Sequence, residues 1–197
     1  MALDFDNIYG ALSTSISNSI GSRLSQISPP SGSPYPAIIR ARQDGQRPDQ
    51  HFVTVDIENA VPISTNGLLT QVDSDTGEVC YTLLYEVFVA LKCFGDNALS
   101  ILQEYQTNFM IDDGVRYQLQ ADAGLASHKL GNVKSIPDFL QTNHEERSLL
   151  RMSFYVHDTI TKGTYLAVIN GQGEYKEGSN VVKTSTIEVD ASQELNP

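Results

Sequence analysis

The chain has 197 residues and a formal net charge of −11, with 40% hydrophobic and 19% charged residues. This length and composition suit one ordinary globular domain with a sizeable core, and they argue against wholesale disorder. The acidic balance argues against a general nucleic-acid-binding protein, and no apolar run approaches the roughly 18 residues that span a bilayer.

The amino terminus does not show the basic region followed by an apolar region that marks a secretory signal. Cys80 and Cys93 lie on one predicted strand, where thirteen steps of about 3.3 Å put them roughly 43 Å apart. A disulfide within that strand is therefore impossible, and the two cysteines are too few for a cysteine-only zinc site. We interpret them as buried thiols of a protein that folds in a reducing cytoplasm.

An apolar stripe at helical spacing predicts a first helix over residues 4–27, with Asp4 or Asp6 as its N-cap. The opposite face is mostly serine, threonine and asparagine, so the helix should depend on packing against a sheet or a neighbouring subunit. Prolines and glycine in 28–34 end it and predict a linker. The stripe consists of Phe5, Ile8, Leu12, Ile16, Ile20, Leu24 and Ile27.

Alternating residues predict a strand over 53–57 and a long strand over 79–94. The long strand is apolar on both faces through its middle, which indicates a central strand covered on two sides. Gly95 ends this strand, and Asp96 or Asn97 caps a second helix. Its apolar positions are Leu99, Leu102, Tyr105 and Phe109.

The second half of the chain carries weaker patterns. They predict a strand-rich stretch, a short helical turn, another strand and a projecting hairpin around a glycine-rich segment. The order indicates an α+β fold with a mainly antiparallel sheet flanked by helices. We expect a main domain over 1–160, a hairpin extension over 161–190 and a mobile tail over 191–197. In chain order the second-half elements are 115–135, 137–142, 148–158, and the runs 164–169 and 181–189 around 170–180.

A basic cluster interrupts this acidic chain, because three of its seven arginines fall within eight residues: Arg40, Arg42 and Arg47. The glycine and proline nearby predict a turn, so we expect the arginines on a loop. A positive patch on a negative chain is where an acidic partner or another copy would dock. We therefore predict a subunit contact at Arg40, Arg42, Asp44 and Arg47. The alternative is a solvated turn with weak surface ion pairs.

Patterns of catalytic or metal sites are incomplete. Residues 73–78 hint at a calcium loop, but the glycine position and the missing twelfth-position glutamate favour a turn. Gly171, Gly173 and Gly178 lack the Lys-Ser/Thr ending of a phosphate loop. His144-Glu145-Glu146 lacks the second histidine of a zinc protease, and no nucleophile elbow is present. A dispersed triad stays open, although nothing favours one. We predict no enzyme, cofactor or metal site.

The segment 36–48 followed by the strand 52–57 resembles the neck or tail-terminator proteins of tailed bacteriophages. That family has an Ile-Arg-Ala-x-Gln-x-Gly-x-Arg-Pro element before a strand. The order of a helix, this element, a long strand, a helix and a later strand is also similar, as is Glu146-Arg147 before the strand that ends in 154–156. The resemblance covers about residues 4–158. The matching positions are Ile39, Arg40, Ala41, Gln43, Gly45, Arg47 and Pro48.

The resemblance implies a structural virion protein of the tail or neck that is assembled in the host cytoplasm and does not bind a membrane. Such proteins form a ring, commonly a hexamer, that stops tail-tube polymerisation and offers a docking face to the head. Its partners would be further copies of itself, the tail tube protein, the neck or connector protein and the tail sheath. DNA would pass through the lumen without specific binding. The alternatives are a head-completion adaptor and a tail tube subunit.

Overall fold

The computed structural model describes residues 3–43, 47–48, 50–63, 68–72, 79–136, 138–140, 143–162, 172–177 and 180–186. The chain divides into two units, one formed by residues 1–67 with 82–158 and the other by 68–81 with 159–197. Helices and a sheet with their shared core make up the first unit, and the second contains the late hairpin.

Three helices and thirteen strands lie in the described residues, and a 3₁₀ turn, Gly21–Arg23, follows the first helix. The helices are α1 (Phe5–Ile20), α2 (Ala98–Ile111) and α3 (Asp113–Ala123). The strands are β1 (Gln26–Ile27), β2 (Tyr35–Pro36), β3 (Ile38–Arg40), β4 (Phe52–Pro62), β5 (Leu68–Val72), β6 (Val79–Phe94), β7 (Ala126–Leu130), β8 (Lys134–Ser135), β9 (Asp138–Leu140), β10 (Asn143–Glu145), β11 (Arg147–Lys162), β12 (Gln172–Glu177) and β13 (Asn180–Thr186).

The main sheet has the strand order β3-β4-β6-β11-β7, and β5 and β8 pair with β6 and β11. Strand β4 runs antiparallel to β6, with Val53 opposite Cys93, and β7 and β8 run antiparallel to β11. The short β3 is parallel to β4. These pairings confirm the α+β fold with a mainly antiparallel sheet. The long strand β6 lies at its centre with the bounds that its two-sided apolar pattern predicted.

One face of the sheet forms the core with the helices. Alternate residues of β4, β6 and β11 lie on this face, where they pack against the apolar stripe of α1 and one face of α2. Phe109 of α2 packs edge-on against Phe154 of β11, with ring centroids 6.2 Å apart. The buried sheet residues are Val53, Val55, Val87, Val89, Leu91, Cys93, Leu150, Met152, Phe154 and Val156.

The other face of the sheet is also covered in part, because Ala90 and Ser153 on it are buried. It carries polar groups that bond along the sheet as well as apolar residues. Ser153 donates a hydrogen bond to Glu86 at 2.9 Å, and Arg151 contacts Glu58 at 3.1 Å. Phe88, an apolar residue on this parity of β6, is half-buried.

The first helix confirms its predicted N-cap, because the Asp4 side chain accepts from the backbone N–H groups of Asp6 and Asn7. It ends earlier than predicted, at Ile20. A 3₁₀ turn follows, and β1 pairs with β2. A Cβ at Gly21 would lie 2.9 Å from Pro36 Cγ, so the returning strand packs closely against the end of the helix.

The interpretation of 115–135 as strand-rich is wrong for its first half, where α3 lies. The Asp112 side chain caps this helix by accepting from Gly114 N, and Gly124 ends it with φ +64°. Val115 and Leu119 are four residues apart and share the buried face. The spacing of apolar residues in this short run fits both the two-residue period of a strand and the 3.6-residue period of a helix. Packing against α1 selects the helix. Strands β7 and β8 confirm the second half.

Two late predictions also change. The short helical turn expected at 137–142 is wrong at Asp138–Leu140, which forms β9 and pairs with β10. The hairpin exists, but β12 at Gln172–Glu177 is the partner of β13. The run 164–169, proposed as the first strand, lies outside the described residues.

Burial of two titratable groups in the core predicts a loss of stability in alkali. Burial raises the pKa of Tyr105 to about 12, against an opposing hydrogen bond from Ser15. It raises the pKa of the Cys93 thiol to about 12 as well. Because both pKa values are raised on folding, this stability is complete below the unfolded pKa values and is lost as pH rises towards 12.

We therefore expect the free energy of unfolding to fall between pH 9 and pH 12, by up to about 1.4 kcal/mol per pKa unit for each group. Urea titrations across this range measure the slope. Tyr105→Phe should make the free energy of unfolding fall less steeply with pH above pH 10, where ionisation of the tyrosine contributes to that fall. An unchanged slope in that variant would contradict the assignment.

Candidate subunit interface

Arg40 joins the sheet edge to the start of α1. It lies in β3 and not on the loop that the sequence predicted. Its guanidinium is 2.7 Å from Asp6 Oδ1 and 5.2 Å from the centre of the Tyr9 ring. Tyr9 in turn donates its hydroxyl to the Ile38 carbonyl at 3.3 Å. The side chain of Arg40 is therefore held in place by its own subunit.

Arg42 is more accessible than Arg40, whose side chain is 34% exposed. The Arg42 side chain is 75% exposed, and its φ of +63° is a left-handed conformation that costs a non-glycine residue about 1 kcal/mol or more. The guanidinium lies 3.4 Å from Asp56 Oδ1, a carboxylate with 11% exposure. Lys92 Nζ lies 3.7 Å from the other oxygen of Asp56. The nearly buried carboxylate thus holds an exposed cation at the surface.

Arg47 occupies a different place, over an aromatic pair. Phe52 and Phe94 stack with their centroids 4.6 Å apart, at opposite positions of β4 and β6. The Arg47 guanidinium carbon lies 5.1 Å from the Phe52 ring and 5.4 Å from the Phe94 ring. Partial burial, and secondly the charge of Arg147, lower the pKa of Arg47. Arg47 therefore fixes the start of β4.

A cleft of about 430 Å³ lies beside Arg40 and Arg42, between the start of α1 and β4. Phe5, which is 40% exposed, and Glu58 also line it, whereas Arg47 does not. The structure thus brings two of the four predicted contact residues to one cleft and places Arg47 elsewhere. Asp44 lies outside the described residues.

The cleft follows an open edge of the sheet. Strand β3 pairs with only three residues of β4, opposite Val53–Val55. From Asp56 to Pro62, β4 has β6 on one side and, within the described ranges, no strand on the other. Pro62 lacks a backbone N–H, as is usual for an edge strand. An unpaired strand edge next to an exposed arginine is a surface suited to protein contact.

Glu146 and Arg147, which entered the sequence analysis only through the family resemblance, have a structural role. The Glu146 carboxylate accepts from Asn97 N at 3.0 Å and from Leu99 N at 3.1 Å, so it caps α2. Asn97, expected as the cap, makes no capping bond with its side chain. Arg147 lies over the Phe94 ring at 5.1 Å. The residues that Glu146 and Arg147 contact are far from them in the sequence, so residue spacing could not predict these contacts.

We expect Glu146→Ala to lower the free energy of unfolding by about 1–2 kcal/mol, because two N–H groups at the helix start lose a charged acceptor. Glu146→Gln keeps an acceptor oxygen and should lose less. Thermal unfolding followed by circular dichroism compares them. Equal melting temperatures for Glu146→Ala and the parent protein would contradict the capping role.

The described residues contain no group of three or more His, Cys, Asp or Glu side chains arranged to hold a metal ion. His128 stacks on Tyr155 and lies 3.6 Å from Glu86, within the polar face of the sheet. The proposed calcium-like turn at 73–78 lies outside the described residues, as do Gly171 and Gly178. None of the described helices combines the length and apolar character needed to cross a bilayer.

The comparison with protein families matches residues 7–179 to the family described as phage neck terminator protein. The chain belongs to the phage neck terminator family. No curated protein matches the sequence. The match includes α1 from Asn7 onwards, Arg40 and Arg42, β4, β6, α2 and β11, and therefore the whole cleft except Phe5.

Membership of the phage neck terminator family gives the chain a structural role in the phage neck. It also indicates a position in the virion, at the tail or neck, and interaction with other head or tail proteins. The family is a structural one, which indicates a non-enzymatic protein. The arginine cluster and its cleft then become candidates for contact between virion subunits.

Proposed function

We propose that the protein assembles into a homomeric ring, a hexamer, that caps the tail tube, stops its polymerisation and joins it to the head-side neck. Family membership supports this role, and the exposed Arg42 beside the open edge of β4 is the observation that carries the ring contact. A ring requires a heterologous contact, in which one face of a subunit meets a different face of the next. The host cytoplasm is the proposed place of assembly.

The contact in this proposal centres on Arg40, Arg42, Asp44 and Arg47 of one copy and acidic side chains of the next. The net charge of −11 supplies many acidic groups elsewhere on the surface. A stable ring contact buries at least about 1,000 Å² in total. Ion pairs at the rim add little affinity, so apolar groups beside the arginines must contribute. Phe5 is exposed in the same cleft and is suited to that role.

Arg42→Gly tests the contact without damaging the fold. Glycine accepts the positive φ, which offsets the lost surface ion pair, so stability should stay within about 1 kcal/mol. We expect the solution mass to fall from about 130 kDa, for six copies of 21.6 kDa, towards smaller species. Arg116→Ala removes another exposed ion pair, with Asp113, neither residue of which lines the cleft, and should keep the ring. Mass photometry that finds intact rings in Arg42→Gly would contradict this contact.

The acidic balance also supports a lumen that DNA can traverse. Duplex DNA carries about one negative charge per 1.7 Å, so acidic side chains around the channel would prevent it from sticking. In this proposal DNA passes without specific binding. The tail tube protein, the connector and the tail sheath are the proposed neighbours. A map of the assembled ring with Asp and Glu confined to the outer wall would contradict the acidic lumen.

A further inference from the structure

A surface almost free of charge adjoins the arginine cleft. Residues 7–39 contain one charged side chain, Arg23, whereas the chain average of 19% predicts about six in such a stretch. This stretch includes α1 and the β1–β2 ribbon, so its charge-free residues form a continuous part of the fold. Depletion of charge and enrichment of tyrosine are features of interface centres, whereas serine, which is abundant here, is depleted in them.

A groove of about 280 Å³ lies in this surface, between α1 and the strands β2 and β3. Tyr9, Ser13 and Ser17 of α1 form one side, and Tyr35 and Ile38 belong to the other. Tyr35 is exposed at 47% although it is a large aromatic side chain. The groove therefore combines aromatic side chains with small hydroxyl groups.

The Ser13 hydroxyl is an unused hydrogen-bonding group in this groove. Its oxygen is inaccessible to solvent and has no hydrogen-bond partner in the described part of the chain. A buried hydroxyl without a partner is unfavourable. Because solvent does not reach this oxygen, a ligand reaches it only when the groove side chains move. Extended polyproline segments suit such a groove, because they have free carbonyls and dock between aromatic side chains.

The chain carries such a segment. Residues 28–34, Ser-Pro-Pro-Ser-Gly-Ser-Pro, connect β1 and β2, and six of the seven are exposed. The segment has three prolines and no charge. Its base is fixed, because Ile27 pairs with Tyr35 and Pro36 packs on Gly21. We call it the proline arm. It projects from the ribbon that borders the groove.

We propose that the groove beside α1 receives the proline arm of a second copy. Two copies that each carry −11 repel, so they approach best through a surface without charge. The groove also continues into the proposed contact, because Tyr9 lies under Arg40. The proposal therefore rests partly on the proposed ring. The docked proline arm would supply the buried apolar area that the ring contact needs in addition to its ion pairs.

A peptide of residues 26–36 tests the groove separately from ring formation. The acceptor is the full chain with Pro29→Ala, Pro30→Ala and Pro34→Ala, which weakens its own arm. Labelled peptide should bind saturably with Kd in the range of about 10–100 µM, as expected for a short segment. Thr14→Glu in the acceptor adds a charge to an exposed groove residue and should weaken binding about tenfold or more. Ser22→Glu, exposed on the 3₁₀ turn and absent from the groove lining, is the matched control.

Absence of saturable binding up to about 1 mM, or equal binding to the Thr14→Glu acceptor, would overturn the proposal. If Thr14→Glu breaks the ring while the peptide does not bind, the groove takes a different segment and the arm is wrong. If the peptide binds but the unmodified protein stays monomeric, the ring fails and the groove assignment survives. Circular dichroism of each variant checks that it is folded.

Discussion

Replacing Arg40, Arg42 and Arg47 together with glutamate is expected to abolish the ring and leave a folded subunit. Each substitution lowers the charge by 2, so the subunit changes from −11 to −17. The lost contacts include two surface ion pairs and the cation–π contacts of Arg40 and Arg47, worth about 1 kcal/mol each or less. A domain with ordinary stability of about 5–15 kcal/mol tolerates this loss.

The matched control reverses the charge of Arg23, Arg116 and Lys129, whose exposed side chains also form ion pairs, with Glu104, Asp113 and Glu86, outside the cleft lining. This variant also has a charge of −17, so general repulsion is equal in the two. We expect the control to keep its ring in sedimentation velocity and the cluster variant to sediment as a monomer. Equal assembly of both variants, or equal dissociation, would remove the special role of the cluster.

Deletion of residues 171–178 is expected to reduce head–tail joining to background while the ring still forms. The deletion removes β12, whose partner in the described residues is β13 and not a strand of the main sheet. Ring contacts at Arg40 and Arg42 should therefore be unaffected. We propose that this hairpin is an arm that reaches an adjacent ring or the tail sheath.

Electron microscopy of mixtures of heads and tails counts the joined particles. Removal of residues 191–197, the proposed mobile tail, is the control and should leave joining normal. A hairpin deletion that joins heads and tails as efficiently as the parent protein would exclude the arm. A deletion that also prevents ring formation would place the hairpin in the subunit contact.

Apolar periodicity and capping or stop residues in the sequence predicted the elements whose bounds they determine. The bounds of β6 follow from a long alternating run closed by Gly95, and the start of α1 follows from the Asp4 cap. Helix α3 was missed because Val115 and Leu119 fit both a strand and a helix in so short a run. Contacts with α1 and α2 select the helix.

The site was predicted in part, for the same physical reason. The charge cluster identified Arg40 and Arg42, but their partners Asp6 and Asp56 become visible only when the chain folds. The charge-free surface was not predicted, because the serine-rich face of α1 indicated only that the helix depends on packing against a sheet or a neighbouring subunit. The groove itself requires the return of β2 to the helix, fixed by the close contact between Pro36 and Gly21.

Imaging the purified protein, alone and mixed with tail tubes, tests the central claim most directly. We expect closed rings of one size in the protein alone, and a single ring at the end of each tube, where lengthening stops. A protein that stays monomeric at high concentration and ignores tube ends would contradict the account, and so would one that polymerises alone into long tubes.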